Sequence, residues 1–400
     1  RKEREGLVSS PRSPPPPPPS HTRLATTSSS SSLSSFAPQA RQGYQAQGTR
    51  TTTVKRTKAE LEECLPPSLA KRKFRLKEPM DRFVTIVRTV DEAKRVVEYL
   101  SQPRMEKLIF ACDTETVNVD PTSESPVGKG EIVCFSLFAG PGGINFAKLA
   151  NTVELKEIDI YKKVKKANKS QSVQDIKSTR LWVDTTGDEG RKILEVFKEW
   201  FCNERFKKIF HNWSFDGHLL ANQGIEVAGF KGDTVHMARL WDTSRQGRGG
   251  YKLSSLMQDL LGWGKTDMKE VFGRFKLKKD GTPGKVVYLP DSLTLQTDPD
   301  VTMFEKWIHY STYDTICTWY LYFSLRKELE KMSWTPDAIV YQNEKLRTRK
   351  DRTLFTFYDC FWRPFGQILT DMERKGMYID KDYLRQQAKI AEKDKQNRTE

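Results

Sequence analysis

The chain has 400 residues, a length that suggests two or three domains with at least one sizeable core. Its formal net charge of +15 favours a polyanionic partner, but residues 1–80 alone hold 15 Lys and Arg against 6 Asp and Glu, so much of the excess lies in a tail. No apolar run approaches the roughly 18–20 residues that cross a bilayer, which excludes a membrane-spanning class and predicts no membrane partner.

The first predicted element is a disordered, basic, Pro- and Ser-rich tail over residues 1–80. Residues 6–59 contain no Asp or Glu, and they include the runs Pro14–Pro19 and Ser28–Ser32. Such a segment cannot bury enough apolar surface to fold. An Arg- and Ser-rich, acid-poor N-terminus is also typical of an organellar transit peptide, with a plain linker as the alternative.

Helices and strands are predicted from about residue 83 onward. A strand over Thr85–Val90 precedes a helix over Asp91–Ser101 that Asp91 caps. Three strands then follow in quick succession and predict an antiparallel meander: Leu108–Cys112, Ile132–Phe138 and Gly143–Phe146. Beyond a lysine-rich stretch near residues 155–178, interpreted as an insertion with a solvated surface, helices and strands alternate, so the class is mixed α/β.

Asp113 and Glu115 directly follow the predicted strand Leu108–Cys112. Because side chains alternate across a strand, residues i and i+2 project from the same face, and both carboxylates can reach one cation. Alone, this D-x-E pattern is a weak signal.

A second pattern, N-x-x-x-D, places Asn212 and Asp216 where the predicted strand Lys208–His211 runs into the predicted helix Ser214–Asn222. Asn212 can cap this helix or position a ligand, and Asp216 lies in its first turn. The helix dipole favours an acidic residue there in any case, so this motif is equally compatible with a purely structural role.

A third pattern, Y-x-x-x-D, has Tyr310 and Asp314 at the start of a predicted helix that continues over Thr315–Leu329. Residues i and i+4 share a helix face, so both side chains should point the same way.

Together the four carboxylates predict a metal site. Uncompensated they would repel one another, whereas two divalent cations supply the charge that balances them. Oxygen ligands suit Mg²⁺ or Mn²⁺, and the six cysteines, scattered without a C-x-x-C pair, argue against zinc and against a disulfide framework. Two such ions can activate a water and stabilise the leaving oxygen in phosphodiester hydrolysis.

The three motifs, in this order, resemble those of the DEDD superfamily of 3′–5′ exonucleases in its tyrosine-containing branch, which family A DNA polymerases carry ahead of their polymerase domain. Gly232–Leu240 and Tyr251–Leu256 are similar to the segment that follows the second motif in these enzymes. Trp362–Leu369 and Met372–Asp380 resemble the entry into the polymerase domain. The resemblance covers roughly residues 81–400 and is closest to the plant and protist organellar type.

This resemblance implies a ribonuclease H-like fold over residues 81–335, with a mixed five-stranded sheet flanked by helices. It implies that residues 336–400 begin a polymerase domain, which we expect to be cut short before any polymerase motif. The implied activity is hydrolysis of DNA from a single-stranded 3′ end or primer terminus. The implied context is the proofreading module of a replicase in a mitochondrion or plastid, with undefined replisome partners.

Carried over residue by residue, the resemblance implies that four carboxylates bind the metal ions: Asp113, Glu115, Asp216 and Asp314. Tyr310 would orient the attacking water or help to deprotonate it. Asn212 and Thr114 would contact the substrate, and Asn212 could instead support the second motif.

Two questions stay open from the sequence. His309 also produces the H-x-x-x-x-D pattern of the sister branch, but on a helix it lies about 140° from Asp314, against about 40° for Tyr310, which favours the tyrosine. The alternative functions are a freestanding exonuclease of the ribonuclease D or helicase-associated type and an inactive nucleic-acid-binding module.

Overall fold

The computed structural model describes residues 83–120, 123–142, 144–155, 177–247, 249–278, 282–334 and 352–399. The predicted tail and most of the lysine-rich stretch lie outside these residues. Within the described ranges, no helix is both long enough and apolar enough to cross a bilayer.

A mixed sheet of seven strands forms the centre of the protein. In chain order the strands are β1 (Phe83–Val87), β2 (Ile109–Val117), β3 (Glu131–Phe138), β4 (Asn151–Glu154), β5 (Arg180–Asp184), β6 (Lys207–Phe210) and β7 (Phe230–Asp233). Across the sheet the order is β4-β1-β5-β3-β2-β6-β7. β2 runs antiparallel to β3 and parallel to β6, and β6 runs parallel to β7.

The predicted count of five strands is wrong, because β1 and β4 extend the sheet beyond β5. β1 pairs parallel with β5 and antiparallel with β4. Val84 and Ile86 of β1 are buried, and buried backbone must find hydrogen-bond partners, which these two neighbours supply.

Only the first two strands of the predicted meander are confirmed, as β2 and β3; the other neighbour of β3 is β5, which pairs antiparallel with it and follows β4 in the chain. The expected strand Gly143–Phe146 is wrong, since residues 144–146 lie in a loop. Ile144 and Phe146 are buried in the core all the same. The side chain of Asn145 accepts hydrogen bonds from the backbone N–H groups of Ala147 and Ser178, so the loop satisfies its polar groups locally.

Helices cover both faces of the sheet. One face carries α1 (Val90–Leu100), α2 (Gly187–Phe201) and α3 (Trp213–Asn222). The other face carries five helices: α4 (Thr234–Trp241), α5 (Leu253–Leu261), the short α6 (Met268–Phe272) and α7 (Ser292–Gln296), and the long α8 (Val301–Lys331). The predicted cap of α1 is wrong by two residues. Thr89 caps it in a reciprocal capping box with Glu92, because the Thr hydroxyl reaches the Glu92 N–H and the Glu92 carboxylate reaches back.

Alternation along β2 determines which helices its side chains meet. Phe110 and Cys112 pack in the core cluster beneath α1 and α2, whereas Ala111 packs with α8. Asp113 and Glu115 share the parity of Ala111, so they project toward α8, and Thr114 projects to the opposite face.

The chain after residue 352 forms α9 (Leu354–Phe357), a π-helical turn (Tyr358–Trp362), α10 (Arg363–Lys375) and α11 (Lys381–Thr399). Phe355 and Tyr358 are buried in the same apolar cluster as α8. The start of a polymerase domain at residue 336 stays a prediction.

Candidate metal centre

Three carboxylates meet on the α8 face of the sheet. One oxygen each of Asp113, Glu115 and Asp314 lies within 4.8 Å of the other two. Mg²⁺ holds its ligands at about 2.0–2.1 Å, so oxygens around it are at most about 4.2 Å apart. The observed spacing is close to that requirement, and every donor is an oxygen, as hard cations prefer. These residues therefore fit a divalent metal ion.

Asp314 and Tyr310 lie in the middle of a helix, not at its start as predicted. α8 begins at Val301, nine residues before Tyr310, and Asp300 caps it by accepting from the N–H of Thr302 at 2.9 Å. The aromatic and β-branched residues before Tyr310 obscured this start, because their helical propensity is only moderate. Packing against the sheet decides the helix instead, since Trp307 and Ile308 are buried there.

Asp216 lies beside the three clustered carboxylates and is bound to Thr114 of β2. It lies in the first turn of α3, is only 3% exposed, and falls outside the group of three. Its Oδ1 accepts hydrogen bonds from the Thr114 backbone N–H at 3.0 Å and from the Thr114 hydroxyl at 2.7 Å. Thr114, between the two carboxylates of β2, thus binds the fourth carboxylate. The predicted contact of Thr114 with substrate stays a prediction.

Asp233 is one of two important residues that the sequence patterns did not single out. Its carboxylate accepts from the backbone N–H groups of Asn212 and Trp213, both at 3.0 Å, and it also caps α4 by accepting from Val235 at 2.8 Å. Asn212 has left-handed backbone angles (φ 73°, ψ 58°) and makes no side-chain cap of its own. Asp233 therefore determines where α3 begins and how it presents Asp216. The Asp-Thr pair at 233–234 is a helix-cap signal for α4. No local pattern predicts that Asp233 also binds the start of α3, about 20 residues earlier in the chain.

Lys265, in the loop between α5 and α6, is the second such residue. Its ammonium pairs with Asp314 and lies 4.0 Å from the centroid of the Tyr310 ring, and its side chain is 8% exposed. Burial lowers the pKa of Lys265, but its neighbours, Asp314 and Tyr310 foremost, together raise the pKa above its ordinary value. A single lysine between Gly264 and Thr266 carries no sequence signal for this role.

Burial and the charges of neighbouring acids raise the pKa values of Asp113, Glu115 and Asp216. Burial and the charges of Asp216 and Asp314 raise the pKa of Asp113 well above its ordinary value. Burial and Asp314 raise the pKa of Glu115 to about 8, and burial raises the pKa of Asp216 to about 7 against the opposing Thr114 hydrogen bonds. Without cations, the cluster therefore holds protons at neutral pH, and bound cations would reverse this.

Tyr310 and His309 have different surroundings. The Tyr310 ring packs edge-on against Phe272 at 5.6 Å between centroids, and burial raises its pKa above the ordinary value, so its hydroxyl stays protonated. His309 is 7% exposed, and burial together with the positive charge of Arg180 lowers its pKa to about 3. The Tyr310 ring contacts Lys265, which pairs with Asp314 of the acidic cluster. The charge that acts on His309 is that of Arg180 in β5.

These pKa values predict that the metal-free protein loses stability as pH rises. Unfolded Asp and Glu titrate near 3.8 and 4.5, and folded Asp216 and Glu115 near 7 and 8. Between about pH 4 and 8 the folded state therefore binds more protons, so the free energy of unfolding falls across that window. With a chelator, we expect the melting temperature to fall by several degrees from pH 5.5 to 8, since each kcal/mol shifts it by about 2–4 °C.

Circular dichroism melts at matched ionic strength measure this trend. The neutral variant Asp113→Asn/Glu115→Gln should show a shallower pH dependence, which separates the cluster from the charge of the rest of the chain. A melting temperature that rises with pH in the unsubstituted chain would contradict the repulsive cluster.

Residues 145–330 and much of the chain are similar to known proteins. A family model described as 3′–5′ exonuclease matches residues 145–330, which include Asp216, Tyr310 and Asp314 and begin after β2. DNA polymerase I B, chloroplastic/mitochondrial, of Arabidopsis thaliana is 38% identical over 349 residues, covering 84% of this chain and 29% of the relative. DNA polymerase I B, mitochondrial, of Oryza sativa subsp. japonica is 36% identical over 320 residues, covering 77% and 27%. The chain thus spans less than a third of the length of these relatives.

Two solved structures are similar over much of the chain. The POL domain of Pol1 from M. smegmatis, in complex with DNA primer-template and dNTP, has a TM-score of 0.42 and 12% identity over 77% of this chain and 35% of its own. Escherichia coli RNase D has a TM-score of 0.39 and 12% identity over 75% and 52%.

The mixed sheet with helices on both faces confirms the predicted ribonuclease H-like α/β class, apart from the strand count. The family match and the plant organellar DNA polymerase relatives confirm the resemblance stated from the motifs. Residues 145–330 of this chain are thus similar to the 3′–5′ exonuclease family, and the chain is similar to part of the plant organellar DNA polymerases I.

Proposed function

We propose that this chain removes nucleotides from the 3′ end of DNA by metal-dependent hydrolysis, as the proofreading part of a DNA polymerase. The observation that carries the proposal is the meeting of Asp113, Glu115 and Asp314 within 4.8 Å, with Asp216 held beside them by Thr114. The polymerase relatives favour DNA as substrate, and favour proofreading over a freestanding ribonuclease D-like or helicase-associated exonuclease.

The four carboxylates would hold two divalent ions, Mg²⁺ or Mn²⁺. When bound, two such ions supply Lewis acidity that activates a water and stabilises the leaving 3′ oxygen. Asp113 and Glu115 present their carboxylates from a rigid interior strand, and Asp314 does so from the middle of α8, so little reorganisation is needed.

Tyr310 would orient the attacking water. Its raised pKa keeps the phenol protonated, so it can donate a hydrogen bond at neutral pH and is a poor base. Phe272 and Lys265 hold the ring from two sides. This favours the orienting role over deprotonation, the other role considered for this tyrosine.

Asn212 and Thr114 have different potential as substrate contacts. The side chain of Asn212 makes no capping bond to α3, which leaves its amide suited to contact the terminal nucleotide. The Thr114 hydroxyl is only 2.7 Å from Asp216, so its main role would be to position that carboxylate.

The names of the relatives suggest the wider context. We infer that the chain acts in organellar DNA replication, in a mitochondrion or plastid, and that residues 336–400 lead into a polymerase domain. Primer termini would then be its substrates.

A direct assay tests this function. With Mg²⁺ or Mn²⁺, a 5′-labelled single-stranded DNA should shorten to a ladder, and the same strand labelled at its last nucleotide should release the label first as a mononucleotide. Chelation should stop both reactions, and a 3′ mismatch should speed digestion of a duplex.

An RNA strand of the same sequence is the matched comparison. Faster digestion of RNA than DNA would favour the ribonuclease D-like alternative. Absence of shortening with either metal would contradict the exonuclease, and internal fragments would indicate another nuclease.

A further inference from the structure

A two-stranded hairpin stands apart from the seven-stranded sheet. It consists of β8 (Arg274–Leu277) and β9 (Pro283–Tyr288), inserted between α6 and α7. The strands pair antiparallel, with Arg274 opposite Tyr288 and Phe275 opposite Val287. We call residues 274–278 and 282–288 the hairpin.

The hairpin exposes apolar and cationic side chains in alternation. Phe275 is 57% exposed and Tyr288 is 48% exposed. Lys276, Lys278 and Lys285 are exposed between them, and these two segments contain no Asp or Glu. Exposing aromatic rings to water is unfavourable. Rings beside cations match a partner that offers flat rings and a chain of negative charges.

The base of the hairpin lies close to the metal centre. Phe272, in the helix just before β8, packs on the Tyr310 ring, and three residues of chain span at most about 11 Å, so Phe275 is near that ring. Arg274 pairs with Asp298, two residues before the cap of α8, which ties the base to the helix that carries Tyr310 and Asp314.

We propose that the hairpin binds the single-stranded DNA immediately upstream of the 3′ end being hydrolysed. Because Phe275 pairs with Val287 and Arg274 with Tyr288, Phe275 and Tyr288 project from opposite faces of the two strands. The DNA strand therefore crosses the edge of the hairpin, where one base stacks on each ring and Lys276, Lys278 and Lys285 pair with phosphates. The contact is independent of sequence, because every base has a stacking face and every linkage a charge. The inference rests on the proposed exonuclease activity and adds to it a second contact region outside the metal centre.

Two double variants of the 400-residue chain test the proposal. For Phe275→Ala/Tyr288→Ala and Lys276→Glu/Lys285→Glu, we expect the KM for a dT12 strand to rise about fivefold or more with kcat nearly unchanged. A dT3 strand, too short to extend along the hairpin, should show a much smaller change. The charge variant should also reduce the salt dependence of DNA binding, by a slope of about 1.4 for two lysines on a single strand.

Lys94→Glu/Lys192→Glu, at exposed positions of α1 and α2 across the sheet, is the matched control and should leave KM and the salt slope unchanged. Melting temperatures show whether each variant is folded, and fluorescence anisotropy with labelled dT12 measures binding in the background Asp113→Asn/Glu115→Gln. If the unsubstituted chain digests dT12 and both hairpin variants have its KM and salt slope, the hairpin proposal is overturned, and a protein partner becomes the better occupant. If the unsubstituted chain digests neither strand, the exonuclease function itself fails.

Discussion

Replacing Asp113 by Asn and Glu115 by Gln should lower the rate of 3′-end hydrolysis by about 10³-fold or more, which corresponds to at least about 4 kcal/mol of transition-state stabilisation. Both carboxylates point to the α8 face of the sheet and each lies within 4.8 Å of Asp314. An amide has one neutral oxygen acceptor and cannot compensate a divalent cation, so the variant should fail to retain metal.

The same variant should fold normally, which distinguishes lost metal binding from lost structure. Because the acids repel one another, their neutral replacements should raise the melting temperature in chelator, or leave it unchanged. Mg²⁺ or Mn²⁺ should then stabilise the original chain but not the variant, as thermal melts and calorimetric titration can measure.

Asp188→Asn/Glu195→Gln is a matched control, since these two acids are exposed on α2. It should keep both hydrolysis and the metal-induced rise in melting temperature. Retained hydrolysis in Asp113→Asn/Glu115→Gln would refute the assignment of the metal centre.

Tyr310→Phe should lower kcat by about 10²-fold with little change in KM, whereas His309→Ala should keep kcat close to that of the original chain. The phenylalanine retains the ring contacts with Phe272 and Lys265 and removes only the hydroxyl that would orient water. His309 is 7% exposed beside Arg180, so its loss should lower the free energy of unfolding by about 1–3 kcal/mol instead.

Single-turnover kinetics and thermal melts separate these outcomes. His309→Gln, which retains more side-chain volume, replaces His309→Ala if the alanine variant does not fold. A large loss of kcat in the histidine variants, with an unaffected Tyr310→Phe, would assign the water-orienting role to His309.

The sequence predicted that Asp113 and Glu115 lie on one face, because this depends only on the two-residue repeat of a strand. The position of Tyr310 relative to Asp314 was predictable from the 3.6-residue repeat of a helix, even though the predicted start of α8 was wrong by nine residues. The class of fold followed from the alternation of helices and strands. The hypothesis of a metal site followed from the need of four like charges for compensation.

Tertiary structure alone decided the rest. Two strands beyond the expected five depend on pairing between segments distant in the chain, as when Thr85 lies opposite Thr152. The pairs Thr114–Asp216 and Lys265–Asp314 join residues 102 and 49 positions apart, and no local repeat encodes such a contact. The sequence by itself thus determined which carboxylates could share a face, because backbone geometry sets that locally. Only folding determined that the Thr114 hydroxyl meets Asp216 and that the Lys265 ammonium meets Asp314, because Asp216 lies at a helix start and Lys265 in a loop, and the packed core sets the positions of both.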